Sequence, residues 1–371
     1  MAGNDLWKYC TSGQAKEMLR SFGLLDGVKI KEETYFSCLY ALGNHAEEHY
    51  HAAEIPKKGG KTRKLLVPDY LLGRVQRNIL HHVLDGLTVS GYARAYLPHQ
   101  SIVENAKPHV GAKRLLKLDI IDFFQNISYF LVYRYAFPGI YFPPPVRTLL
   151  THLCCFEDSL PQGAPTSPAV SNLVMKPFDE YIGNWCAERG IQYTRYCDDM
   201  TFSGEFDVRE VKRKVRGFLA AYGFRLNQKK TQVQGSYCRQ TVTGIVVNEK
   251  LQVSRAYRRA LRAEIYYCGK YGVESHLQRR GECGPAGTQG DSRCVAGAED
   301  AGKRIGGKYG LQKAEERRDR RPQGDEACIQ YLRQLLGKIN YVLQVNPEDQ
   351  EFWQARERIR EMLEQISILK E

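Results

Sequence analysis

No run of about 18 consecutive apolar residues occurs in this chain, so a membrane-spanning helix is not expected. The first residues, M-A-G-N-D-L-W-K, lack the apolar core and cleavage site of a secretory signal. The 11 cysteines include no C-x-x-C pair and no regular spacing. That argues against both a disulfide framework and a zinc ribbon, and it suits reduced thiols in a cytoplasmic protein. His45, His49 and His51 have no cysteine or second ligand cluster near them, so they read as surface histidines. No internal repeat is evident. Acidic residues are the scarcer charge: 42 Asp and Glu face 54 Lys and Arg, a net charge of +12. Such a surplus favours a polyanionic partner such as nucleic acid. The length of 371 residues allows two or three subdomains around a sizeable core.

One stretch organises the rest. Ile191–Gly204 reads I-Q-Y-T-R-Y-C-D-D-M-T-F-S-G. Its aromatic and threonine-rich flanks favour strands, and Asp favours turns, so a hairpin with Asp198 and Asp199 at its tip is expected. Adjacent carboxylates repel unless a cation sits between them, and a hard divalent ion such as Mg2+ suits oxygen donors. An Asp-Asp pair alone is ordinary turn chemistry, so the argument needs other parts of the chain.

The first is R-L-L-K-L-D-I-I-D-F-F at Arg114–Phe124. The apolar run Leu115–Ile121 reads as a buried strand, and a carboxylate inside it, Asp119, is costly unless paired or bound to a cation. Asp119 is therefore the natural third ligand. Asp122 is placed to cap a helix beginning near Phe123, and Phe124 would lie near whatever Asp119 binds. Upstream, His51–Ile55 and Arg63–Val67 form a strand pair around the turn P-K-K-G-G-K-T, a basic hairpin suited to phosphate oxygens. Between the acids, L-P-Q-G-A-P-T-S-P enters a helix with Ser167 as cap, Pro168 at its first position and a kink at Pro177.

The remaining elements are simpler. Residues 13–50 read as helical, Pro68–Leu84 as an amphipathic helix, and Ser90–Val110 as loop. Asp207–Tyr222 reads as a capped helix, Gly223–Val233 and Thr241–Asn248 as strands. Ser254–Tyr271 is a basic, tyrosine-rich helix whose Arg255, Arg258, Arg259 and Arg262 suit either a nucleic-acid backbone groove or plain solvent. Residues 276–326 are rich in Gly and in charges of both signs, a composition typical of a flexible insertion. Helical periodicity resumes at Ile329–Leu343 and again over about Asp349–Leu369.

One acid in a strand, two in a later hairpin, a Gly/Pro loop between them and a basic hairpin upstream together match the needs of two-metal nucleotidyl transfer, with two Mg2+ ions held by Asp119, Asp198 and Asp199. The order of these segments also resembles the reverse transcriptases. Y-C-D-D at Tyr196–Asp199 is similar to their Y-x-D-D box, L-D-I-I-D-F-F at Leu118–Phe124 to the preceding acidic motif, and Q-G-A-P-T-S-P at Gln162–Pro168 to their template and nucleotide loop. Within that family the chain most resembles bacterial retron enzymes, through N-A-K-P-H at Asn105–His109 and V-T-G at Val242–Gly244.

The resemblance implies an α+β right hand. Its parts would be an N-terminal helical region (1–50), fingers (51–114 and 125–165), a palm with an antiparallel sheet (115–124 and 166–248), and a helical thumb (249–371) carrying the insertion. It implies Asp119, Asp198 and Asp199 as the metal-binding catalytic set, Arg63 and Lys61 on the triphosphate, and Gln162 on nucleotide or template. Phe124 would be a steric gate, and Lys229 or Lys230 the proton donor to pyrophosphate. Asn105 and His109 join the α-helical arginines as RNA-contacting candidates. The implied activity is RNA-directed DNA synthesis from deoxynucleoside triphosphates, copying a structured noncoding RNA into a branched RNA–DNA hybrid in antiphage defence, with an effector protein as a further partner. Two other readings stand beside it: a template-independent or abortive-infection polymerase, and a noncatalytic, maturase-like RNA binder.

Overall fold

The computed structural model describes residues 6–56, 62–280 and 324–368. Lys61, the turn around it, and positions 281–323 of the expected insertion lie outside the described residues. The chain divides into two compact units, Met1–Thr243 and Gly244–Glu371. Among the described residues no helix is long and apolar enough to cross a membrane, and the cysteines are all free.

The first unit begins with helices. α1 (Ser12–Ser21) opens on a capping box in which Thr11 Oγ1 accepts from Gln14 N–H while the Gln14 side chain accepts from Thr11 N–H. α2 (Tyr35–Asn44) follows. β1 (Tyr50–Pro56) and β2 (Thr62–Pro68) pair antiparallel with Ala52 opposite Leu66, as the basic hairpin requires. Asp69 caps α3 (Tyr70–Ile79), and its other carboxylate oxygen lies 2.7 Å from His49 Nδ1. Leu19, Leu39, Leu72 and Val75 are buried here with Leu149, Leu150 and Leu153 of α6 (Pro144–Cys154) in one continuous core.

Two expectations change in the middle of the chain. Ser90–Val110 is not all loop: Ser101 caps a short helix, α4 (Ile102–Ala106), which runs into a 3-10 turn ending at His109. No helix begins at Phe123. Asp122 has φ +44°, and the Asn126 side-chain amide donates to the carbonyls of Ile121 (2.9 Å) and Asp122 (3.0 Å), closing a turn instead. The helical stretch α5 (Tyr129–Leu131) starts only after Ser128.

The sheet that positions the acids has the order β4-β5-β3-β6, all antiparallel: β3 (Arg114–Asp119), β4 (Gln192–Tyr196), β5 (Asp199–Gly204) and β6 (Gln232–Gly235). Residues directly opposite one another share a face. Tyr193, Arg195, Met200 and Phe202 therefore face one way, and Thr194, Thr201 and Ser203 the other. The first face is covered by α7 (Ser167–Ala187), whose Asp179 bonds both Tyr193 and Arg195. α8 (Val208–Ala221) packs beside α7 and is capped by Asp207. The cap of α7 is Thr166 rather than Ser167, whose hydroxyl donates to Pro161 O, and the helix runs on through Pro177. Lys229 and Lys230 sit in a turn before β6, not in a strand. β7 (Thr241–Val242) ends the first unit. The expected strand Thr241–Asn248 is broken because Thr243 (φ +46°) and Gly244 (φ +88°) are both left-handed.

The second unit is mostly helical. After β8 (Ile245–Val246), Ser254 caps α9 (Arg255–Tyr271), followed by α10 (Val273–Arg279), α11 (Asp325–Val345) and α12 (Gln350–Ile368). Positions 276–279 and 325–326 of the expected insertion are thus helical.

Candidate active site

Asp119 ends β3 and stands directly opposite Asp199, the first residue of β5, so both carboxylates issue from one face of the sheet. The hairpin tip sits one residue earlier than expected. Tyr196 pairs with Asp199, leaving Cys197 and Asp198 as a two-residue turn, and Asp199 belongs to the strand. Such tight turns need positive φ, which Cys197 supplies at +62° in a place where glycine is usual. The carbonyl of Asp198 accepts from Ile120 N–H (3.2 Å), tying the tip to the residue after Asp119.

Asp119 is only 2% exposed. Burial raises its pKa, the Lys230 ammonium pulls against that rise, and the charge of Asp198 adds to it. Lys230 Nζ donates to both carboxylate oxygens of Asp119, at 2.6 and 2.9 Å. Burial, then the charge of Asp198, pushes Asp199 up to about 6. Of the two candidate lysines, Lys230 reaches the acids. Lys229 is exposed, and its recorded bond is from its backbone N–H to the Asn227 side chain (3.2 Å).

Among the described residues no three His, Cys, Asp or Glu side chains are arranged as a ready metal cage. The donor set still fits a hard divalent ion. Two carboxylates share a sheet face, a third is adjacent in the turn, and Asp119 already binds a cation in the form of the Lys230 ammonium.

The mutual repulsion predicts a pH signature. A carboxyl whose pKa is higher folded than unfolded costs stability as pH rises, because the unfolded chain releases its proton first. For Asp199 this cost is absent below about pH 4, the ordinary Asp value, and complete above about 6. Asp199→Asn should therefore melt a few degrees above the parent at pH 8 and level with it near pH 4. Solvent contact at Asp199 keeps the shift small. Scanning fluorimetry across this range, without divalent ions, checks it; a gap independent of pH would contradict it.

The other expected residues disperse. Arg63 is half-buried on β2, and Gln162 is half-buried in the loop before α7. Hairpin and loop do meet: Leu66 N–H donates to Gln162 O at 2.9 Å. Gly163 permits that approach, since at φ +134° a Cβ there would come within 2.6 Å of Leu66 O. Phe124 is half-buried in the turn after β3, edge-on to the buried Phe123.

The expectation that Asn105 and His109 contact RNA needs correction. Both are buried. His109 Nδ1 lies 2.7 Å from Ser203 Oγ and Nε2 2.8 Å from Thr194 Oγ1, so the ring pins β4 and β5 together. Burial, with Arg94 nearby, pushes its pKa down to about 3, and a neutral interior imidazole is no phosphate ligand. In the second unit, Arg258 pairs with Asp349 (2.7 Å) and Arg262 with Glu351 (2.5 Å). Arg255, Arg259 and Arg262 are exposed, and of these Arg262 is held by Glu351.

Sequence reasoning missed Arg195. It is fully buried on the sheet face away from Asp119 and Asp199, with Nε and Nη2 on the Asp179 carboxylate (2.6–3.1 Å). Burial opposes its charge, but the Asp179 carboxylate outweighs that and holds the guanidinium ionised. Its Nη1 donates to Cys197 O at 3.0 Å, and Nη2 to Asn172 Oδ1 at 3.2 Å, so it fastens the turn to α7. The available signal was two opposite charges at core-facing positions, one in an apolar helix and one in an apolar strand.

Comparison with known proteins agrees with this geometry. Residues 55–245 match the reverse transcriptase (RNA-dependent DNA polymerase) family. The Retron Ec86 reverse transcriptase of Escherichia coli is 32% identical over 257 residues, covering 67% of this chain and 79% of that protein. The Retron Ec83 reverse transcriptase of the same organism is 32% identical over 241 residues, covering 61% and 77%. The Retron Mx65 reverse transcriptase of Myxococcus xanthus is 36% identical over 240 residues, covering 59% of this chain and 56% of that protein. A paired-acid sheet in an α+β polymerase fold and this set of relatives lead to one conclusion: the chain belongs to the reverse transcriptase family, as a bacterial retron-type RNA-directed DNA polymerase.

Proposed function

We propose that this enzyme copies part of a structured noncoding RNA into DNA from an RNA 2′-hydroxyl, leaving a branched RNA–DNA hybrid that serves antiphage defence in the cytoplasm. The observation that carries the chemistry is the facing pair Asp119 and Asp199, with Asp198 beside them and Lys230 on Asp119. Asp119, Asp198 and Asp199 would hold two Mg2+ ions, whose chemistry is to acidify the primer hydroxyl and neutralise the charge of the triphosphate. Lys230 then gives up Asp119 and donates its proton to the departing pyrophosphate. Arg63, with Lys61, binds the triphosphate oxygens, and Gln162 contacts the incoming nucleotide or template. Residues 51–114 and 125–165 act as fingers, 115–124 and 166–243 as palm, and the second unit as thumb. Arg255 and Arg259 supply its RNA phosphate contacts; Arg258 and Arg262 keep α9 on α12.

The test is to purify the protein with its co-expressed RNA and supply labelled deoxynucleotides. Label should enter DNA only when that RNA is present; incorporation without any template would overturn the proposal. Phe124 is assigned to sugar selection: a ring beneath the ribose leaves no room for a 2′-hydroxyl. Phe124→Ala should raise ribonucleotide incorporation about tenfold or more, measured as the ratio of kcat/KM for the two sugars. An unchanged ratio would remove the gate assignment.

A further inference from the structure

A groove on the outer side of α7 and α8 takes no part in the chemistry above. α7 packs on the sheet face opposite to the one carrying Asp119 and Asp199. α8 turns Val211, Val215 and Leu219 inward. Its other side, with Glu210, Arg213, Lys214 and Gly217, joins Tyr181 and Trp185 of α7 around a cavity of about 480 Å³ that also touches Phe218, so two cations and one acid line it.

Three observations say what would fill it. The first is charge: α8 carries Arg209, Lys212, Arg213, Lys214 and Arg216 against one acid, Glu210, so a polyanion is favoured. The second is the rings. Tyr181 lies 5.1 Å from Phe218, Phe218 5.3 Å from Tyr222, and Tyr222 stacks on Tyr135 at 5.4 Å. Tyr181 is exposed, Trp185 half-buried, and a cation lies over each ring: Lys214 is 4.6 Å from the Tyr181 centroid and Arg189 4.5 Å from that of Trp185. The third is Gly217. It sits inside a helix, where glycine weakens the structure, and a Cβ there would meet nothing within 4 Å. The position has room for a side chain and leaves the groove open.

We propose that this groove binds a single-stranded stretch of nucleic acid, with a base stacked on the Trp185–Tyr181 platform and its phosphates on Arg213 and Lys214. A platform of rings backed by cations is how single strands are held, whereas a duplex hides its base faces. The site is separate from the catalytic acids, so Asp198→Ala should leave it intact whatever becomes of synthesis.

The experiment uses the full chain with its polymerase cleft saturated by an unlabelled primer–template hybrid. Fluorescein-labelled oligo-U and oligo-dT are titrated in separately, and anisotropy is read at several salt concentrations. The wild-type protein should bind a second oligonucleotide, and the ratio of the two affinities tells RNA from DNA. Arg213→Glu with Lys214→Glu should weaken binding about tenfold or more and reduce the salt slope by about 2. Tyr181→Ala with Trp185→Ala should weaken it about tenfold or more with little change in slope. Gly217→Glu places a charge and bulk in the groove at a position with free space, and should weaken binding while preserving the melting temperature. All three should extend a pre-annealed primer at the wild-type rate. Absence of a second oligonucleotide on the wild type, or unaltered binding in the Gly217 variant, would overturn the proposal. So would an acidic protein captured through these residues while oligonucleotide affinity stays unchanged.

Discussion

Asp198→Ala should abolish DNA synthesis while leaving RNA bound. The side chain lies in a two-residue turn whose backbone is fixed by the Tyr196–Asp199 pair and by Ile120 N–H on the Asp198 carbonyl. None of those bonds uses the carboxylate, so the turn should survive its removal. What disappears is a negative charge within reach of Asp119 and Asp199, whose pKa values it raises. Stability should hold or increase, because a repulsion is relieved. The chemistry should fall by roughly 10³-fold or more, the scale of losing a group that acts only on developing charge. Single-turnover extension of an annealed primer gives the rate, and a filter-binding titration gives RNA affinity. If affinity falls as far as the rate, the carboxylate serves RNA binding and the metal assignment is wrong.

Why these acids could be read from sequence, and their supports could not, is a matter of distance along the chain. Asp119 is conspicuous because a carboxylate in L-L-K-L-D-I-I breaks an apolar strand, and Y-C-D-D is flanked by strand formers on both sides. Local rules suffice there. They fail by one residue at the tip, where the turn consists of Cys197 and Asp198 because a cysteine adopts a glycine-like φ. They fail more widely where a polar residue has a distant partner. His109 in N-A-K-P-H reads as a candidate for RNA contact until β4 and β5, some 85 and 94 residues on, supply Thr194 and Ser203 to both ring nitrogens. Asp122 looks like a helix cap until the Asn126 amide closes the turn from the other side. Adjacent lysines 229 and 230 have identical chemistry, and only the turn from Asn227 decides which faces Asp119. The basic helix α9 posed a similar problem: two of its four arginines point at acids on or just before α12, and nothing in the local spacing marks which two.

The buried pair Arg195–Asp179 gives the largest expected effect on stability. Asp179 accepts from Arg195 Nε and Nη2 and from the Tyr193 hydroxyl (2.8 Å), all in the interior. Asp179→Ala leaves a guanidinium and a hydroxyl buried without that acceptor, a change worth about 3–5 kcal/mol. At about 2–4 °C per kcal/mol for a unit of this size, the melting temperature should fall by roughly 6–20 °C. Stability alone does not reveal what the pair is for, since well-packed apolar residues can often replace a buried ion pair without loss. The discriminating variant is therefore the triple substitution Asp179→Leu, Arg195→Met and Tyr193→Phe, which removes every charge and hydroxyl of the network together. Its melting temperature should recover most of what Asp179→Ala loses. Its rate of synthesis should not recover, because no donor remains for the Cys197 carbonyl and the turn carrying Asp198 is released from α7. The deficit should appear in kcat, with KM for the primer–template hybrid little altered, since no residue of the network is assigned to nucleic acid. A triple variant that is both stable and fully active would mean that Arg195 only fills space beneath the turn. A stable but slow enzyme would identify the ion pair as the part of the fold that aims the acids.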